Sequence, residues 1–154
     1  MGENDQEVVI WYRPRVRLWA DEHGELHLAG EPDGLARVLD AFRLVARGIQ
    51  ERADVSLRTD DIARDRNPVG ERGVQQLFGT LVFARDRSSQ ELQVKTAGNE
   101  ATVYFSERLK PVLGFAIVEA MDGEGDFSVP ISWNAAKSRL WFWGYSNPHG
   151  VNGF

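Results

Sequence analysis

Hydrophobic positions recur in this chain at two periods, two and about three and a half residues, and the order in which those periods alternate is written twice. Val16, Leu18 and Ala20 alternate with Arg17 and Trp19, as in a half-buried strand. Asp21-Glu22-His23-Gly24 supplies turn chemistry. Leu26 and Leu28 then alternate with Glu25 and His27 in a returning strand, which so short a connection makes antiparallel. Leu35, Val38, Leu39, Phe42, Val45, Ala46 and Ile49 fall on one helical face, with Arg37, Asp40, Arg43 and Arg47 elsewhere. Pro32 suits the first turn of that helix, where a missing N–H costs nothing. Val55-Ser56-Leu57 resumes as a strand. Leu77 to Ala84 reads as the next one, apolar on both faces apart from Gly79 and Thr80 and therefore central.

The second passage begins at Leu92 and Val94, turns at Ala97-Gly98-Asn99 and returns through Ala101, Val103 and Phe105. Its helix face is Leu109, Val112, Leu113, Ala116, Ile117 and Ala120, with Phe115 and Val118 on another flank. Pro111 must lie in the first turn, which places the start between Ser106 and Lys110. Asp122-Gly123-Glu124-Gly125 ends the helix, Phe127-Ser128-Val129 is a third strand and Arg139 to Tyr145 a fourth. Setting Leu26, Leu28, Leu35, Val38, Leu39 and Leu44 beside Ala101, Val103, Leu109, Val112, Leu113 and Val118 brings like against like, the mark of an internal repeat. The expected fold class is α+β. Duplicated ββαββ units, roughly 8–85 and 90–146 of a single domain spanning 1–154, should form an antiparallel or mixed sheet with two helices packed on one face.

Two segments stand outside that pattern. Val8 to Tyr12 is a β-branched and aromatic run, an opening strand ended by Arg13-Pro14. Positions 58–73, with Asp60, Asp61, Arg64, Asp65 and Arg66, hold too little apolar surface to offset ordering entropy and predict a mobile charged loop. Its shorter counterpart in the second passage is Ser132 to Ser138.

Composition narrows the chemistry. The chain has no cysteine, which excludes disulfides, thiolate metal sites and cysteine nucleophiles. No apolar run approaches the roughly 20 residues that span a bilayer, and the acidic first residues do not resemble a signal peptide, so a cytoplasmic protein without membrane partners is expected. The net charge of −5 disfavours nucleic acid as the partner and favours a basic one.

No motif for phosphate loops or nucleophile elbows occurs. His23 and His27 flank a turn and a strand, where a spacing of four carries no helical meaning, and with His149 they make no convincing zinc set; all are expected at the surface, and no cofactor or metal is expected. Arg13, Arg15 and Arg17 form a comb beside Trp11, Tyr12 and Trp19, which fits either a single-strand nucleic-acid surface or the wet side of an early strand that blocks edge pairing. Asp122, Glu124 and Asp126 crowd a glycine-rich stretch that ends a helix and would repel a phosphate. The most unusual feature is aromatic. Leu140-Trp141-Phe142-Trp143-Gly144-Tyr145 puts large rings on both faces of one strand, and Trp141 and Trp143 fit either a core or an interface.

A small acidic α+β chain without catalytic motifs, closing on Leu140-Trp141-Phe142-Trp143, resembles the bacterial immunity proteins of polymorphic toxin systems. The resemblance lies in the general character of the chain and implies a non-enzymatic protein that binds and neutralises a cognate toxin. For such a protein, acidic side chains at Asp21, Glu22, Asp60, Asp61, Asp65, Asp122, Glu124 and Asp126 would steer a basic partner, with Trp141 and Trp143 as buried anchors. The competing expectation is a small-ligand-binding protein or enzyme using the open sheet face, lined by Trp19, His27, Tyr104 and Trp143.

Overall fold

The computed structural model describes residues 16–59, 74–87, 89–123 and 127–144. The expected opening strand, the charged positions 60–73 and the segment from 145 onward lie outside the described residues. Along the chain the elements are β1 (Val16–Ala20), β2 (Leu26–Gly30), α1 (Pro32–Ala46), β3 (Arg52–Ser56), β4 (Gln76–Phe78), β5 (Thr80–Arg85), β6 (Leu92–Ala97), β7 (Glu100–Phe105), α2 (Lys110–Met121), β8 (Phe127–Trp133) and β9 (Ala136–Gly144).

The described strands form a single mixed sheet in the order β3-β5-β7-β6-β8-β9-β2-β1-β4. Tight connections produce the antiparallel hairpins β1–β2, β6–β7 and β8–β9. Longer excursions produce the parallel pairs: β2 with β9, β5 with β7, and β6 with β8. The sheet also curls. Two residues beyond β3, at one end of the order, the Arg58 N–H donates to the carbonyl of Val16 in β1, next to the other end.

The inner face of this curl and both helices share one hydrophobic core. Leu18, Leu28, Phe83, Val103 and Phe142 from the strands pack there with Leu35, Val38 and Phe42 of α1 and Leu113 and Ile117 of α2. Phe42 meets Phe83 edge-on at 5.8 Å and Phe105 at 5.0 Å. The cavity left among the inner-face side chains measures only about 10 Å³, so the core is closed to any ligand. The end of β9 lies so close to the end of α2 that a Cβ on Gly144 would come within 1.9 Å of the Ala120 carbonyl oxygen, and only glycine fits.

The course of the elements departs from the sequence expectations in four places. The strand expected over Leu77 to Ala84 is two strands, because Gly79 turns its backbone to Asn99 and Leu57 while the chain changes partners, β4 pairing with β1 and β5 with β3 and β7. The Ser132 to Ser138 connection shrinks to Asn134 and Ala135, both at positive φ, as a two-residue hairpin turn requires. Ile49 is 64% exposed rather than on the helix face, since α1 stops at Ala46 and the Ile49 and Gln50 N–H groups both fold back onto the Leu44 carbonyl. Val112 is exposed too, because the buried stripe of α2 is the narrower one formed by Leu113, Ala116, Ile117 and Ala120.

Candidate functional site

The outer face of the sheet, opposite the helices, holds two regions of different character. At the β1–β2–β9 end, strand register places Trp19 beside His27 and His27 beside Trp141, in one row. Their rings stack: Trp19 lies 5.1 Å from His27, His27 lies 6.3 Å from Trp141 and 6.2 Å from Trp143, and Trp141 lies 5.7 Å from Trp143, all within 18° of parallel. Trp19 is 1% exposed and His27 3%, and with Ala29, Val74, Leu77 and Trp143 the Trp19 ring forms a second hydrophobic cluster. The surface histidine and the wet-side arginine expected from alternation are therefore corrected. His27 is buried, and Arg17, on the same outer face, is 0% exposed, since in a curled sheet packed on both sides alternation no longer separates wet from dry.

Hydrogen bonding fixes the state of His27. The Trp143 indole N–H, which can only donate, reaches His27 Nδ1 at 3.0 Å, so Nδ1 carries no hydrogen. Nε2 then carries it and donates to Asp21 Oδ2 at 2.8 Å. Both ring nitrogens are therefore hydrogen-bonded to side chains of the chain itself. Asp21 is equally committed: its Oδ1 accepts the backbone N–H groups of His23 and Glu25. Burial raises the pKa of this carboxyl, but the His27 bond and the two N–H bonds outweigh that, and it titrates below the ordinary aspartate range. Glu25 holds the Trp141 indole N–H at 2.8 Å.

The other candidate residues are not brought together. Glu22 is exposed in the β1–β2 turn, and Asp122 is exposed just beyond α2. Trp141 and Trp143 are half-buried in the ladder. Asp60, Asp61, Asp65, Glu124 and Asp126 lie outside the described residues, as does His149. Among the described residues no group of three or more histidine or acidic side chains could hold a metal ion. No described helix is long and apolar enough to cross a membrane.

At the β3–β5–β7–β6 end the same face opens only at its margin, beyond the buried Val82 and Thr102. Register sets Arg52, Ala84, Tyr104 and Gln93 in one row, and Asp54, Val82, Thr102 and Lys95 in the next. Beside Ala84 lies a trough made of two cavities of about 610 and 340 Å³ that share Arg85, Asp86 and Tyr104. Lys95 Nζ lies over the Tyr104 ring, 5.4 Å from its centroid. Glu107, at the rim, bonds Lys110 at 2.8 Å and Arg85 at 2.7 Å, and these cations hold its carboxyl below the usual glutamate range. Of the four side chains expected to line a ligand site on the sheet, only Tyr104 reaches this trough; Trp19, His27 and Trp143 belong to the ladder.

A third feature lies on α2. Val112, Phe115 and Val118 recur at i, i+3 and i+6 on one face and are 43%, 64% and 37% exposed. With Ile49 they are the large hydrophobics exposed among the described residues. The neighbouring helix α1 exposes Asp33, Arg37, Asp40, Arg43 and Arg47 instead. The signal was present in the sequence, since α2 is apolar on more than one flank, but choosing the buried flank required the partner surface. No protein-family model matches this chain, and no curated protein matches it.

Proposed function

We propose that this protein is a non-enzymatic protein-binding module of the immunity type, which binds a cognate toxin domain and blocks it. The observation that carries the reading is the exposed Val112-Phe115-Val118 stripe. A helix that keeps three large apolar side chains in water beside a helix whose exposed face is mainly charged has the surface of an unoccupied interface. Glu119 and Asp122 follow at the C-terminal end of the stripe and suit a partner whose apolar patch is rimmed by lysine or arginine. We assign the anchor to Phe115 rather than to Trp141 or Trp143, whose indole N–H groups are already satisfied within the chain. The occupied nitrogens of His27 also favour binding over catalysis at the ladder.

The test is a pull-down and calorimetric titration against toxin domains encoded beside the gene. Phe115→Asp should abolish capture while leaving the unfolding midpoint unchanged, because the ring contributes little to the core. Capture that survives this change, with the fold intact, overturns the reading. We further infer that the chain arose by duplication of a ββαββ unit, since the returning strand of each opening hairpin, β2 or β7, pairs in parallel with the closing strand of the other half, β9 or β5. A superposition of the halves that leaves the buried Leu39 and Leu113 at non-equivalent sites would refute it.

A further inference from the structure

The exposed stripe of α2 has a centre. Val112 and Val118 stand three residues to either side of Phe115, Pro111 and Glu119 four, and Arg108 and Asp122 seven. Steps of three, four and seven residues return to the same side of a helix, so these positions share one face. Arg108 belongs to the 3₁₀ turn Glu107–Leu109 that leads into α2, and Asp122 is the C-cap. Both are exposed. Over roughly 20 Å the face is therefore basic at its start, apolar in its middle and acidic at its end.

Those charges run against the helix dipole, which favours acids at the N-terminus and bases at the C-terminus. The first turn of α2 holds no acid and its last turn no base. Nor are the charges used within the chain. Arg108 donates to the Gln90 side chain, and Arg108, Glu119 and Asp122 have no ion-pair partner among the described residues.

A face of this kind is complementary to itself when inverted. We propose that two copies of this chain pair through it, about a two-fold axis at Phe115 and with their α2 helices antiparallel. The two Phe115 rings meet on the axis, and Val112 of each copy packs on Val118 of the other. Arg108 of each copy faces Asp122 of the other, with Glu119 one turn away, so both ends gain an opposite charge. A parallel pairing would set Arg108 against Arg108 and Asp122 against Asp122. One helix face is smaller than the roughly 800 Å² a side of a standard interface, which points to a dissociation constant on the order of 10 µM. The dimer goes beyond the toxin-binding reading but covers the same stripe, so a toxin domain has to displace the second copy.

The experiment is sedimentation equilibrium of the full chain alone, at low ionic strength, with folding of each variant checked by circular dichroism. Because no toxin is present, failure here is distinct from failure of capture. The wild type should show a monomer–dimer equilibrium, and Phe115→Asp should be monomeric. Arg108→Asp and Asp122→Arg should each weaken the dimer about tenfold, since each sets two like-charged pairs across the interface. An equimolar mixture of these two variants should associate as the wild type does, because every pair across it is again opposite in sign. The proposal falls if the wild type stays monomeric up to about 500 µM. It also falls if folded Phe115→Asp still dimerises, which places the interface elsewhere, if the charge reversals are without effect, or if the mixture is not rescued.

Discussion

The two ends of the outer sheet face share a backbone plan and differ in side-chain volume. At one end the row Trp19, His27 and Trp141 stacks into a ladder, and the face is buried. At the other the row Arg52, Ala84 and Tyr104 is short in its middle, and the face opens into a trough flanked by cations. Each row runs across an antiparallel pair and then a parallel one. Pairing therefore sets where side chains stand, and their bulk decides whether the face becomes core or cleft.

The largest effect should come from the ladder itself. Trp19→Ala is expected to lower stability by about 3–5 kcal/mol, as for other fully buried aromatic rings. Lys95→Ala, beside the trough, should stay within about 0.5 kcal/mol, as for an exposed residue. Urea unfolding of the two variants checks the contrast, and equal losses would break it. Next, His27→Phe keeps a flat ring in the stack but leaves the Trp143 N–H and Asp21 Oδ2 without their partner, and should cost about 1–3 kcal/mol. A neutral result would show that stacking, not the hydrogen-bonded chain, holds the ladder together.

The smallest effect concerns pH, and it contrasts the two lowered carboxyls. The folded-state pKa of Asp21 lies below its unfolded value of about 3.9, so between the two values the unfolded chain binds more protons and stability rises with pH. This contribution is present above about pH 4 and is lost as pH falls through the lower, folded value. Glu107 has the same sign, but it is exposed and its cations are screened by salt. Stability measured from pH 5 down to pH 2 should therefore fall less steeply in Asp21→Asn at both low and high salt. In Glu107→Gln the difference should show at low salt and vanish at high salt. Identical salt responses would erase the distinction between the two ends.

The helices offer the same comparison on a smaller scale. In α1 the polar residues Asp33, Arg37, Asp40 and Arg43 mark the wet face, so the buried stripe from Leu35 to Val45 could be read before any fold was known. In α2 several flanks are apolar, and periodicity could not choose between the stripe through Leu113 and the one through Val112 and Phe115. Ile49 failed as a helix residue because a stop signal, Gly48 at positive φ, competed with its hydrophobic period.

The pattern of residues alone determined the α+β class, the alternation of strands and helices apart from the break at Gly79, the β1–β2 and β6–β7 hairpins and the turn chemistry from Asp21 to Glu25, because these depend on neighbours a few positions apart. The tertiary structure decided the rest. It brought His27 between Trp19, Trp141 and Trp143, turned Arg17 and Trp19 from a wet edge into a buried face, and collected Arg52, Arg85 and Lys95 from separate strands around Tyr104. Those placements depend on the parallel pairing of β2 with β9 and of β5 with β7, contacts between residues far apart in sequence that no local periodicity encodes.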